Sequence, residues 1–437
     1  MALTRQSRPR QSTPRQSRPH AASLHWLGVI SALTAGVWLG AAEAPTKLVT
    51  IGLSPFTISL CMVAGVFLAR WTFPTLLKGT SFIARDLAGK PHLIVWALLA
   101  GALWAVANTL TVYAIRDVGL AIAFPLWNAN SLIGLFWGRI LFRELSGAGS
   151  KTTIRVVLGA IATVLAAVLL GFSSMHGGAG VAPTHAARGI LAAIGASFMW
   201  GTMYVPYRKA YLSGMNPLSF VTAFTVGELA TVLTLALTLG GGTHVIGAEL
   251  QHARGVLFWL FLGGMVWVVG DLFQQFAAKY LGIGRGIPLS NTNQLWGLAW
   301  GALVFGELNH SDHAHQLLVI AGSLIMVGGA ALISSAVATR DENTAREIAI
   351  LRECERYSLN HAQTLATMQG ESEAESPRRW WDYAIVLAAT GVFVWLARQA
   401  RVPALTMNTT WMLALGAVML VSLLIGGIAL SRTTRFS

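Results

Sequence analysis

Residues 119–145 read "GLAIAFPLWNANSLIGLFWGRILFREL", and residues 282–308 read "GIGRGIPLSNTNQLWGLAWGALVFGEL". Extended back to Gly101 and Gly264, the two stretches match without a gap at 17 of 45 positions, at a constant offset of 163. Trp104 pairs with Trp267, Gly119 with Gly282, Pro125 with Pro288, Asn128 with Asn291, Asn130 with Asn293 and Glu144-Leu145 with Glu307-Leu308. The helices that open each half align at an offset of 162, through Trp38/Trp200, Lys47/Lys209, Gly52/Gly214 and Pro55/Pro217. Duplication within a membrane chain marks transporter folds whose substrate binds at the repeat interface.

Composition puts the chain in a membrane. Hydrophobic residues make up 54% and charged residues 11%, with a mean hydropathy of +0.59, whereas soluble domains carry about 25% charged residues. Apolar windows of roughly 20 residues, each long enough to cross a hydrocarbon core, follow one another at 24–43, 56–73, 93–115, 119–142, 154–172, 188–208, 217–239, 255–278, 283–305 and 316–336, then at 380–396 and 411–430. The expected fold is an all-α polytopic membrane protein of twelve spans: a 5+5 transmembrane repeat plus two extra C-terminal helices. An odd number of spans per repeat inverts the second copy. With the N-terminus in the cytoplasm, 25 of the 31 Lys and Arg fall on the cytoplasmic side, leaving Lys47, Arg116, Arg188, Arg254, Arg398 and Arg401 outside, as the positive-inside rule requires. The net charge of +13 thus reflects topology rather than nucleic-acid binding, and both termini are expected in the cytoplasm of a cell-membrane protein.

The chain divides into a disordered basic tail (1–23), a first five-helix repeat (24–175), a second, inverted one (186–336), a polar linker (337–379) and two further spans with a short tail (380–437). The arginine-rich start before an apolar run also fits a cleaved signal peptide ending at Ala41–Ala44, but Pro45 would follow the cut and this helix has a counterpart in the second repeat. In the linker, Ile348, Leu351 and Leu359 stand at helical spacing, and a solvated spacer is expected. Cys61 lies in a span and Cys354 in the linker, so no disulfide is expected. "HSDHAH" (His310, Asp312, His313, His315) lacks a compact ligand spacing and reads as a loop. "GIGRG" follows no strand and is not a phosphate cradle. Neither a metal nor a cofactor is implied.

Polar groups inside spans are costly and face bundle interiors or cavities. Helix 4 carries "FPLWNAN" and helix 9 "IPLSNTNQLW". Each proline leaves the carbonyl four residues earlier, Ala121 or Gly284, without its helical donor, a break tolerated where it lines a cavity. Asparagines follow three and five residues later. Amides donate and accept at once, which suits a polyhydroxylated ligand. On helices 3 and 8, Trp104 with Asn108 and Trp267 with Asp271 each share a face, and Gln274 and Gln275 continue the second. The packing alternative for each indole is an ordinary core contact. Asp271 and Glu43 stand out as carboxylates in spans, Glu43 nearer the interface. A buried carboxyl tends toward its neutral form and carries a proton when access alternates. Direct ligand binding, or pairing with Arg139 or Arg285, are the alternatives for Asp271.

This arrangement resembles the drug/metabolite transporter superfamily, on the two segments quoted above. Within it, "WLGAAEAPTK" and "WGTMYVPYRK" in helices 1 and 6 are similar to the glucose/ribose uptake and L-rhamnose–proton symporter branches. The resemblance covers residues 24 to about 336; the linker and last two spans depart from it. It implies a cavity lined by helices 1, 3, 4, 6, 8 and 9, and cation-driven sugar uptake. The expected function is secondary transport of a small polar metabolite, a sugar, coupled to a proton or other cation. Asn128, Asn130, Asn291, Asn293, Gln294, Asn108 and Gln275 would contact substrate, Trp104, Trp267 and Trp200 would serve as platforms, and Asp271 would couple. The rivals are export of amphipathic drugs or other metabolites by the same fold, a channel, and a receptor or enzyme scaffold; no serine–histidine or histidine–glutamate arrangement supports the last.

Overall fold

The computed structural model describes residues 21–47, 49, 52–176, 183–309, 312–371, 376–401 and 407–436. Most of the basic tail, His310, Glu373 and Glu375 lie outside them. Among the described residues there is no strand, and eleven helices are long and apolar enough to cross a membrane. The body is built from α1 (Ala21–Ala42), α2 (Pro55–Leu77), α3 (His92–Val118), α4a (Leu120–Trp127), α4b (Asn130–Phe142), α5 (Ser150–His176), α6 (Pro183–Leu212), α7 (Pro217–Leu239), α8 (Leu257–Leu281), α9a (Ile283–Ser290), α9b (Asn293–Ala299) and α10 (His313–Ser334). The linker forms α11 (Arg340–Tyr357) and α12 (His361–Met368), and α13 (Trp380–Gln399) and α14 (Thr409–Thr434) close the chain.

The span expected over 283–305 exists as pieces, α9a, α9b and a π-helical turn at Trp300–Val304, and is not among the eleven. In both broken helices the interruption falls past the proline, at the asparagine. Pro125 and Pro288 lie inside α4a and α9a, because a fixed φ near −65° fits a helix. The chain then tightens: Ala129 N–H bonds the Leu126 carbonyl and Ser131 N–H that of Asn128, with the same spacing at Thr292/Leu289 and Gln294/Asn291. Each broken helix is entered through a glycine at positive φ, Gly119 (+80°) and Gly282 (+88°), a region open to glycine at no steric cost.

Repeat-related glycines set the closest helix crossings. A methyl on Gly101 of α3 would collide with the Phe224 carbonyl of α7, and one on Gly227 with Leu98 of α3. At the equivalent crossing, Gly264 of α8 and Gly65 of α2 lie against the backbones of Met62 and Phe261. Each half's third helix therefore packs on the other half's second helix, so the core is shared rather than divided. The last two helices are peripheral: α13 lies against α2 and α8, and α14 against α1, where the Trp38 indole N–H donates to the Met419 carbonyl at 2.9 Å.

The linker is not a solvated spacer. Its helix buries Ile350 and Cys354 against Leu212, while Ile348 and Leu351 face outward. Glu353 pairs with Lys209. Glu342 accepts from both terminal nitrogens of Arg285, Nη1 and Nη2, and from the Leu145 N–H at 3.0 Å. Burial alone would raise this carboxyl, but the Arg285 hydrogen bonds and charge outweigh it and hold Glu342 below the ordinary glutamate range. Polar links, rather than an apolar stripe, seat the helix.

Two outcomes follow from this packing. Gly101→Ala should lower unfolding stability in detergent by about 1–3 kcal/mol through overpacking. Gly391→Ala on α13, with open space around it, should be neutral or stabilising by at most about 1 kcal/mol; thermal melts compare them. Glu342→Ala should expose 337–379 to limited proteolysis at neutral pH. In the native chain, a depressed carboxyl contributes above its unfolded value and is lost only as pH falls through the lower folded one, so protection should persist to pH values below about 4.5.

Candidate substrate cavity

The two breaks meet at the centre of the bundle. Asn128 Nδ2 donates to Asn293 Oδ1 at 2.7 Å, and Asn291 Nδ2 donates to Asn130 Oδ1 and to the Asn128 carbonyl, both at 2.8 Å. Four amides, two per repeat, thus satisfy one another across the junction. They line a cavity of about 30 Å³ with Trp104, Trp127, Trp200, Trp267, Phe124, Tyr204, Met203, Leu39, Glu43 and Gln274. Trp104 and Trp267 lean together with ring centroids 4.4 Å apart, and Trp127 meets Trp200 edge-on at 5.7 Å. The indole N–H groups of Trp104 and Trp200 have no hydrogen-bond partner.

Of the residues singled out in the sequence, Asn128, Asn130, Asn291, Asn293, Trp104, Trp200 and Trp267 share this cavity. Asn108, Gln294 and Gln275 do not line it. Asn108 donates to Ser59 at 2.8 Å, Gln294 is buried with its amide unpartnered, and Gln275 accepts from the Tyr211 hydroxyl at 2.6 Å. Glu43 is no interfacial residue: it is 3% exposed and faces the cavity, because the α1 end that carries it is covered by neighbouring helices. Gln274, bonded to Ser290 at 2.7 Å, lines the cavity in place of Gln275.

Asp271 is fully buried, and its partner is neither Arg139 nor Arg285. Arg70 of α2 reaches it at 2.6 Å, with Gln275 at 2.5 Å and Tyr207 at 3.3 Å completing the carboxylate's shell. Arg139 instead approaches the Glu144 carbonyl and Arg285 is held by Glu342, both at the linker end of the bundle. The Arg70 guanidinium lies 4.9 Å from the ring centres of both Phe224 and Trp267. An indole of the cavity wall is thus also the platform of a buried cation, a cation–π arrangement. Glu228 of α7, fully buried, completes the charged group. Sequence reasoning missed Arg70 and Glu228, although each is a charge inside an apolar window, 56–73 and 217–239, the signal that singled out Asp271.

Carboxylates also fix the entrances of the broken helices. Glu144, closing α4b, accepts from the Ile283 and Gly284 N–H groups at 3.1 and 2.7 Å, the first turn of α9a. Glu307, past α9b, accepts from Leu120 and Ala121 at 3.2 and 2.8 Å, the first turn of α4a. Each helix therefore ends where the other begins, and the two run head to tail. A carboxylate at a helix N-terminus satisfies orphan donors and meets the positive end of the dipole. Arg208 approaches Glu144 at 3.5 Å and Lys47 meets Glu307 at 3.0 Å.

Known proteins match parts of this sequence. The sugar transport protein family matches residues 190–354, from α6 into α11. A Bacillus cereus protein named for sugar uptake is 23% identical over 244 residues, 55% of this chain and 78% of its own length. The chain resembles the sugar uptake transporter family. The glucose uptake protein of Staphylococcus xylosus is 21% identical over 260 residues, 59% of this chain and 83% of its own. Transmembrane protein 144 homolog B of Dictyostelium discoideum is 27% identical over 147 residues, 32% and 40% of the two chains. For a chain in this company, an all-α multi-pass membrane body points to transport rather than enzymatic chemistry.

Glu144→Ala and Glu307→Ala each leave two backbone donors unpaired inside the bundle, at about 1–3 kcal/mol apiece. Both should lower the melting temperature in detergent by clearly more than Glu347→Ala, an exposed change on α11.

Proposed function

We propose that the protein is a proton-coupled sugar transporter working by alternating access, with 24–175 and 186–336 as inverted five-helix halves. The observation that carries this reading is the cross-paired asparagine set at the junction of the two broken helices. A cavity of about 30 Å³ holds a water or two, not a sugar. A sugar enters only if α4 and α9 part, and its hydroxyls then replace amide–amide bonds with amide–hydroxyl bonds of similar strength. Opening is therefore nearly isoenergetic at the amides. The indoles supply apolar faces for the ring C–H groups, and the amides favour a sugar over an amphipathic drug. The names of the relatives agree with this cargo. The positive-inside balance orients the linker end, with both termini, to the cytoplasm of the cell membrane. Asp271, tied to Arg70 beside Trp267, belongs to the group that senses the driving ion.

Reconstituted into proteoliposomes, the protein should exchange at least one labelled hexose or pentose and accumulate it under an inward proton gradient. Asn291→Ala, which removes a cross-junction donor, should weaken sugar exchange about tenfold, equivalent to roughly 1.4 kcal/mol. Asp271→Asn should abolish accumulation and spare exchange. Absence of exchange for every sugar tried would overturn the cargo.

A further inference from the structure

Arg70 on α2 pairs with Asp271 on α8 and lies 4.9 Å from the ring centre of Phe224, one turn before Glu228 on α7; all three ionisable side chains are fully buried in the span region. Two acids and one base leave one negative charge in excess. Asp271 has the arginine, Gln275 and Tyr207. Glu228 is as deeply buried, yet neither of its oxygens has a hydrogen-bond partner. On the other side of the same pair, Nε and Nη1 of Arg70 also lack acceptors. An ionised carboxylate in that position is unpaired and very costly, and a neutral acid costs far less.

We propose that Glu228 is the proton-binding group of the transport cycle, with Arg70 as the cation that its two ionisation states compete for. This rests on the transport reading above and names its coupling site. With the proton on Glu228, the cluster is neutral and Arg70 belongs to Asp271. Loss of that proton to water leaves a second carboxylate, which draws one of the free guanidinium donors, Nε or Nη1. Arg70 cannot turn toward Glu228 without changing its stacking on Trp267, 4.9 Å from the ring centre, and Trp267 is a wall of the cavity. One proton per cycle then reaches the sugar site through one arginine and one indole.

The surroundings of Glu228 add no rival base. From α3, Gly101 lies against the Glu228 backbone and Leu98 against its neighbour Gly227, and α6 brings Tyr207 within electrostatic reach. The short helix Thr80–Gly89 meets α7 at its start, where Asp86 accepts from the Asn216 N–H. The helix Gly242–His252 packs at the far end, where Glu249 is taken up by Ser54 and Thr57.

Infrared difference spectra of the purified protein, recorded across a pH change, read the protonated carboxyl directly and need no sugar. The acid carbonyl stretch should vanish in Glu228→Gln and persist, shifted in frequency, in Glu228→Asp. In proteoliposomes, Glu228→Gln should retain sugar exchange and lose all accumulation above the outside concentration, with Glu228→Asp regaining part of it. An unchanged band in Glu228→Gln, or full proton-driven accumulation by that variant, overturns the assignment. If the native protein moves no sugar, the transport reading falls, while the spectra still decide whether Glu228 binds the proton.

Discussion

Hydrocarbon offers no hydrogen bonds to an interrupted helix, and the fold is organised around that deficit. Both α4 and α9 break at mid-bundle and begin with orphan N–H groups at opposite ends. The acceptors come from the other half: Glu307 for α4a, Glu144 for α9a. Neither half satisfies its own broken helix. The same exchange governs the crossings, where Gly101 lies on α7 and Gly264 on α2. Backbone polarity and close packing thus enforce one shared core, and the polar junction falls at its centre.

Much of this was legible because the repeat displays every structural device twice. Proline, asparagine, entry glycine and closing glutamate recur at fixed offset, so the broken helices and the amide set could be named from residues alone. What escaped were two charges that occur once, Arg70 and Glu228. Arg70 and Glu228 stand opposite Val232 and Val66 at the 162 offset, so comparing the copies conceals them, and one charge barely disturbs a span's hydropathy. Their partnership with Asp271 joins three helices far apart in sequence, which no local pattern records. The linker's docking was hidden for another reason. Its seat is made by Glu342, Glu353 and a narrow Ile350/Cys354 contact, and charges of that kind read in a sequence as solvated.

The single-copy residues also break the symmetry that the repeat sets up. Asn108 occupies the place of Asp271 and binds a serine hydroxyl rather than an arginine. The two halves therefore share a scaffold and a set of amides, while ionic chemistry belongs to one side of the cavity. The frame is paired; the buried charge is not.

The grip of Glu342 has a mechanical corollary. One carboxylate holds the Leu145 N–H just past α4b and Arg285 in the first turn of α9a, so a single side chain of the linker clasps one segment from each half. Since its ionisation persists below the ordinary glutamate range, mild acidification leaves this clasp closed, and pulling the linker away would free both segments at once.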